Sequence, residues 1–125
     1  MVRIYSLFNG VDHILSLTSD EGLQQHYNQE DNFLAFAKKG DKRTALYRCR
    51  TSKNKHFATT EADCEGQTSE GVLGYISTNA RGESQQPLFR CVKQANNDNL
   101  VTTDMQECQR RGYEVKGLLG YIPFQ

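Results

Sequence analysis

The chain has 125 residues, 37% of them apolar, with 15 basic and 15 acidic side chains and a formal net charge of zero. That length and polarity describe one domain with a thin core. With no block of Lys and Arg, the balance excludes electrostatic capture of nucleic acid or of an anionic membrane.

Taken in chain order, the first element is a strand at Ile4-Tyr5-Ser6-Leu7, followed by Asn9-Gly10, a strong hairpin signal because both residues tolerate positive φ. A second strand, Asp12-His13-Ile14-Leu15-Ser16-Leu17, runs to Thr18, and Phe33-Leu34-Ala35-Phe36 forms a third. The same order then returns twice. Leu46-Tyr47-Arg48-Cys49 and Leu88-Phe89-Arg90-Cys91 repeat the opening, with the aromatics of the three openings spaced by 42 residues. Lys55-His56-Phe57-Ala58-Thr59-Thr60 and Asp98-Asn99-Leu100-Val101-Thr102-Thr103 repeat the second landmark. Val72-Leu73-Gly74-Tyr75-Ile76 and Leu118-Leu119-Gly120-Tyr121-Ile122 repeat the third. Residues 1–125 thus read as a single domain of three repeats, about 1–40, 41–82 and 83–125.

Between the second and third landmarks of each copy, a threonine stands where a helix N-cap is expected. Thr18 precedes Glu21, Thr60 precedes Asp63 and Thr103 precedes Gln106 at the capping-box position. Short helices are expected over 19–27, 61–66 and 104–111, the last stopped by Gly112. The fold class is therefore mainly β with short helices (α+β): three strand-strand-helix-strand repeats. One copy cannot bury its own apolar face. Three closing around a pseudo-threefold axis would pool a core, with Tyr47, Tyr75, Phe89 and Tyr121 among its aromatics, and would leave no apolar end exposed.

Four cysteines allow three pairings. The repeat selects Cys49–Cys64 and Cys91–Cys108, because Cys49 and Cys91 share a strand position and Cys64 and Cys108 share a helix position. Copy one carries Leu7 and Leu23 instead, an apolar pair in place of the covalent one. The competing reading is four reduced cysteines packed as small hydrophobes. No close-spaced Cys or His pair suggests zinc, and neither metal nor cofactor is expected.

These motifs resemble a repeat pattern of uncharacterised domains in secreted proteins. That pattern runs leucine-tyrosine-arginine, a polar turn, histidine-phenylalanine-tyrosine-threonine-threonine, a helix and a closing glycine-containing strand. Leu46-Tyr47-Arg48, His56 to Thr60 and Gly71 to Tyr75 carry it, as do Pro87 to Arg90 and Gly112 to Tyr121. Ala58 and Val101 depart from the pattern's aromatic, and Asn99 from its histidine. The resemblance implies an extracellular accessory module that binds carbohydrate or a cell surface, and it brings no catalytic residues.

Met1 to Tyr5 has no signal-peptide character. Two readings stay open: a secreted chain met at its mature end, or a cytosolic one with reduced thiols. No stretch approaches the roughly 20 apolar residues of a membrane-spanning helix, and no membrane insertion is expected. No phosphate loop, nucleophile elbow or His-Glu-x-x-His motif occurs, so no enzyme is expected.

The candidate ligand contacts lie at the hairpin ends: Asp12 and His13, Lys55 and His56, Asp98 and Asn99. Arg48 and Arg90, which follow the strand aromatic, are candidates as well. The alternative for the histidines is packing over a neighbouring strand, and for the arginines bracing a strand through a carboxylate. The function expected is a secreted carbohydrate-binding, lectin-like module with up to three unequal sites for a glycan or cell-surface ligand. The rival is a structural or defensive protein that binds another protein.

Overall fold

The structure, a computed structural model, describes residues 1–124. It is mainly β, with nine strands, one short α-helix and a curled sheet among these residues. The strands are β1 (Val2–Phe8), β2 (His13–Ser16), β3 (Asn28–Ala35), β4 (Arg43–Arg50), β5 (His56–Thr59), β6 (Thr68–Ser77), β7 (Gln86–Lys93), β8 (Asp98–Thr102) and β9 (Glu114–Ile122). Helix α1 spans Met105–Arg110.

Each of the three segments has the same local pairing. Its opening strand lies between the short strand and the closing strand, antiparallel to both, in the orders β2-β1-β3, β5-β4-β6 and β8-β7-β9. The closing strands then join segment to segment, at Phe36↔Tyr75 and at Ser77↔Tyr121. Glycine permits both approaches. A Cβ on Gly74 would lie 3.1 Å from the Phe36 carbonyl oxygen, and one on Gly120 only 2.7 Å from that of Ser77. Register pairs Ile4 with Phe33, Leu46 with Gly74 and Leu88 with Gly120, so segment one has a core phenylalanine where the others have these glycines.

One apolar cluster draws on all three segments. Ile4, Leu46 and Leu88 come from the opening strands, Leu15, Ala58 and Val101 from the short strands, and Ala35, Ile76 and Ile122 from the closing strands. Each buried Leu or Ile contributes about 1.5–3 kcal/mol by leaving water. The aromatics expected in this core stand one residue away, on the opposite face of the pleat, and are only half-buried. Tyr47 packs instead on Cys49, Cys64 and Phe57, and Phe89 on Cys91 and Cys108.

Cys49–Cys64 and Cys91–Cys108 are disulfides, as the repeat spacing selects. In segment one the substitute is different from the expected apolar pair. Leu7 is fully buried, but Leu23 is 56% exposed. Leu23–Gln25 is a single 3-10 turn held between Gly22 and His26, both left-handed, which directs it outward.

The expected helices are mostly single turns. Segment two has only the 3-10 turn Cys64–Gly66, because Cys64 and Glu65 adopt positive φ and stop the chain from winding further. Segment three alone forms an α-helix. Its N-cap is Asp104, not Thr103: the extended Asp104 accepts from Gln106 N–H. Thr18 and Thr60 cap no helix either. The hydroxyl that matters lies at the strand end, where Ser16, Thr59 and Thr102 each accept from the backbone N–H two residues on. At its other end, α1 closes in a Schellman motif. Gly112 donates to Gln109 and Tyr113 to Cys108, with Gly112 at φ 81 and Tyr113 packed on Cys108. This turn sets the tyrosine's position for the site below.

Two substitutions test these constraints. Gly120→Ala drives a methyl into a backbone carbonyl and is expected to lower unfolding free energy by about 1–3 kcal/mol. Removing Cys91–Cys108 as a double alanine variant is expected to cost about 3 kcal/mol. Guanidinium denaturation at constant pH measures both.

Candidate functional site

The strand register aligns three short-strand starts. Phe8 pairs with His13, Arg50 with His56 and Val92 with Asn99. His13 therefore corresponds to His56 and to Asn99, and the preceding residues are Asp12, Lys55 and Asp98. After the helical turns come Tyr27, Gln67 and Tyr113. These nine positions decide how each segment meets the next.

Between segments one and two, the Asp12 carboxylate crosses to His56. It accepts from the His56 backbone N–H at 3.1 Å and lies 2.7 Å from the ring Nδ1, while the Tyr27 hydroxyl donates to it at 2.7 Å. Between segments three and one, Asp98 treats His13 in the same way. The backbone contact is 2.7 Å, the ring contact 2.6 Å, and the Tyr113 hydroxyl also donates to the carboxylate. Asp98 is 0% exposed, and Asp12 and His13 are each 3% exposed. A carboxylate this buried is tolerated only when its lone pairs are filled, and here a histidine of the neighbouring segment and a tyrosine of its own segment fill them. Each aspartate is thus a clasp across a seam.

Burial opposes charging of Asp12, yet the hydrogen bonds from His56 and Tyr27 prevail and hold its pKa below the usual carboxylate value. His13 is also desolvated, which opposes its protonation. Asp98 on one ring nitrogen and Glu30, 2.8 Å from the other, outweigh that and raise its pKa. Glu30 is partly buried, but His13 and Arg111 pull its pKa down to about 2.

The seam between segments two and three has none of this. Lys55 replaces the aspartate, Asn99 the histidine and Gln67 the tyrosine, so all three members of the clasp change together. Lys55 Nζ donates to the Val11 carbonyl. Asn99 instead accepts from Arg90 Nε at 2.8 Å. The seam stays open as a cleft of about 410 Å³, with Lys55, Phe57, Gln67, Arg90 and Asn99 in its wall beside the loops of Thr51 to Lys53 and of Asn96 and Asn97.

Of the residues singled out in the sequence, Asp12, His13, His56 and Asp98 are therefore engaged with one another in the closed seams. Lys55, Asn99 and Arg90 meet in the open one. Arg48 lies outside the cleft. It forms a bidentate pair with Glu21 at 2.7 and 2.6 Å and also donates to Glu70 and to the Leu15 carbonyl, so it braces segment two against segment one. The Arg48 hydrogen bonds lower the Glu21 pKa to about 2. Arg90 repeats the brace with Glu65 at 2.6 Å, over the Phe57 ring. The corresponding residue of segment one is Ser6, whose buried Oγ has no hydrogen-bond partner among the described residues.

Among the tyrosines, Tyr5, Tyr27 and Tyr113 are the ones the sequence offers as sugar platforms in a chain without tryptophan, and Glu21 it offers as a capping residue. The seam roles of Tyr27, Tyr113 and Gln67 and the arginine-accepting roles of Glu21 and Glu65 are not legible there. The signal available was the recurring Tyr-Gln-Tyr position after each helical turn. Among the described residues no group of three His, Cys, Asp or Glu is placed to hold a metal, and the four cysteines are all oxidised.

The class these features define is a mainly β, disulfide-clipped module whose segments meet at polar seams. The chain belongs to a family described as a domain of unknown function (DUF5648), whose model matches residues 1–123. No curated protein and no solved structure matches it.

The clasp makes a pH prediction with two limbs. His13 has a folded pKa above its ordinary 6.5, so its contribution is complete below about pH 6.5 and is lost as pH rises through the folded value. Glu30 titrates near 2 instead of 4.5, so its contribution is present above pH 4.5 and is lost as pH falls toward 2. Asp98, Arg111 and Tyr113 complete the charged and titratable surroundings. Denaturation midpoints should be highest between these limits, and Glu30→Gln should flatten both limbs. Asp98→Ala, which leaves His13 buried with one carboxylate fewer, is expected to cost about 3–5 kcal/mol.

Proposed function

We propose that the chain is an extracellular, non-catalytic carbohydrate-binding module of lectin type, made of three repeats closed around a pseudo-threefold axis, with up to three unequal sites of which the open seam is the principal one. The observation that carries this reading is the coordinated loss of the clasp at one seam. Two seams bury their polar groups in each other. The third retains the same architecture but presents Lys55, Gln67, Asn99 and the loop amides to solvent in a cleft.

Amide side chains carry donors and an acceptor in one plane, which suits the adjacent hydroxyls of a sugar. A shallow, polar cleft fits a weak ligand that is presented in many copies. Two disulfides fit an oxidising compartment. Among the described residues no helix is long and apolar enough to cross a membrane.

The test is a broad glycan array run with the chain and with a variant that rebuilds the clasp, Lys55→Asp, Gln67→Tyr and Asn99→His. The chain is expected to bind a restricted set of glycans. The rebuilt variant should fold, show a raised melting temperature and lose that binding. Absence of binding over the whole array, together with sugar-insensitive recovery of a stoichiometric protein partner, would transfer the function to protein recognition.

A further inference from the structure

The charge around the open seam narrows the ligand. The chain as a whole is balanced, but the cleft is not. Lys53, Lys55, Arg90 and Lys116 line it against one carboxylate, Glu65. That carboxylate is already shared by Arg90 at 2.6 Å and Lys116 at 3.9 Å. Lys55 is bonded to a neutral carbonyl, which leaves its charge uncompensated. It also stands where the other two seams carry an aspartate, so the change at this seam reverses the sign of the position as well as opening it.

Resting on the reading above, we propose that the open seam binds an acidic saccharide, and that its cations receive a carboxylate or sulfate substituent while the amides of Gln67, Asn96 and Asn99 take the ring hydroxyls. Like charges gathered in one cleft repel one another and raise the local potential, a state that an anionic ligand relieves. Arg90 is the fixed member. Its side chain is only 9% exposed and is held by Glu65, Asn99 and the Phe57 ring. Lys53 and Lys116 are exposed and adjustable, suited to an anionic group at variable positions along a chain.

The experiment compares three probes of equal length by titration calorimetry on the intact chain: a heparin oligosaccharide, an oligogalacturonate and a neutral cello-oligosaccharide. At least one acidic probe is expected to bind ten times or more tightly than the neutral one. The sulfated and uronate arms tell which anion is read. Lys53→Glu and Lys116→Glu lie on the surface and should leave the fold intact by circular dichroism. Each is expected to weaken acidic binding at least tenfold, and added salt should weaken it further.

Equal affinity for neutral and acidic probes would overturn this inference, as would indifference to both charge reversals. If the neutral probe binds and the rebuilt clasp abolishes that binding, the carbohydrate reading stands and only the acidic specificity fails. If no saccharide binds, both fail. A poly-glutamate peptide that matches the acidic probes would show that charge alone is read, and would also overturn the proposal.

Discussion

A carboxylate buried at a seam between segments must have every lone pair answered, and here the histidine that answers most of them comes from the other side. Asp12 and Asp98 meet this condition by gripping both the backbone and the ring of a histidine in the next segment, with a tyrosine hydroxyl closing the shell. The interaction is local in space but remote in sequence: 44 residues separate Asp12 from His56, and 85 separate His13 from Asp98. It therefore reports on how segments dock. Where it is present the seam is shut, and where Lys55, Gln67 and Asn99 replace it the surface opens.

Stability around these seams is divided among different forces. The shared apolar cluster supplies the bulk attraction but is indifferent to orientation. The directional contacts are the aspartate clasps and the arginine braces, Arg48 to Glu21 and Arg90 to Glu65. Each seam has a different set. The first has clasp and brace, and the second only the brace; the third has the clasp and, with Ser6 in the arginine position, a different ion pair, Arg111 to Glu30. The disulfides of segments two and three hold a helical turn to an opening strand within each segment. The seam without a clasp thus lies between the two disulfide-clipped segments.

Much of the scaffold was legible in the residues. The 42-residue spacing located all three opening strands, and the shared positions of Cys49 with Cys91 and of Cys64 with Cys108 selected the observed disulfides. Helix lengths were misjudged because capping patterns do not register left-handed residues such as His26, Cys64 and Glu65, which end a turn early. The aromatics were assigned to the core because alternation in a strand does not say which parity faces inward. Neighbouring residues Leu46 and Tyr47, or Leu88 and Phe89, compete for it, and the aliphatic ones occupy it.

For the site, the sequence by itself determined that the hairpin ends collect polar side chains, Asp12 and His13, Lys55 and His56, Asp98 and Asn99; the strand register was needed to set His13 against His56 and Asn99, and Lys55 against the two aspartates. The sequence could not determine that the aspartate of one segment reaches the histidine of another, nor that the three departures fall on one seam. Those facts depend on the docking of segments far apart along the chain, and docking is set by the summed packing of the shared core and the close approaches at Gly74 and Gly120. Only the tertiary structure could turn three scattered substitutions into one opening, because only there do residues 55, 67 and 99 become neighbours.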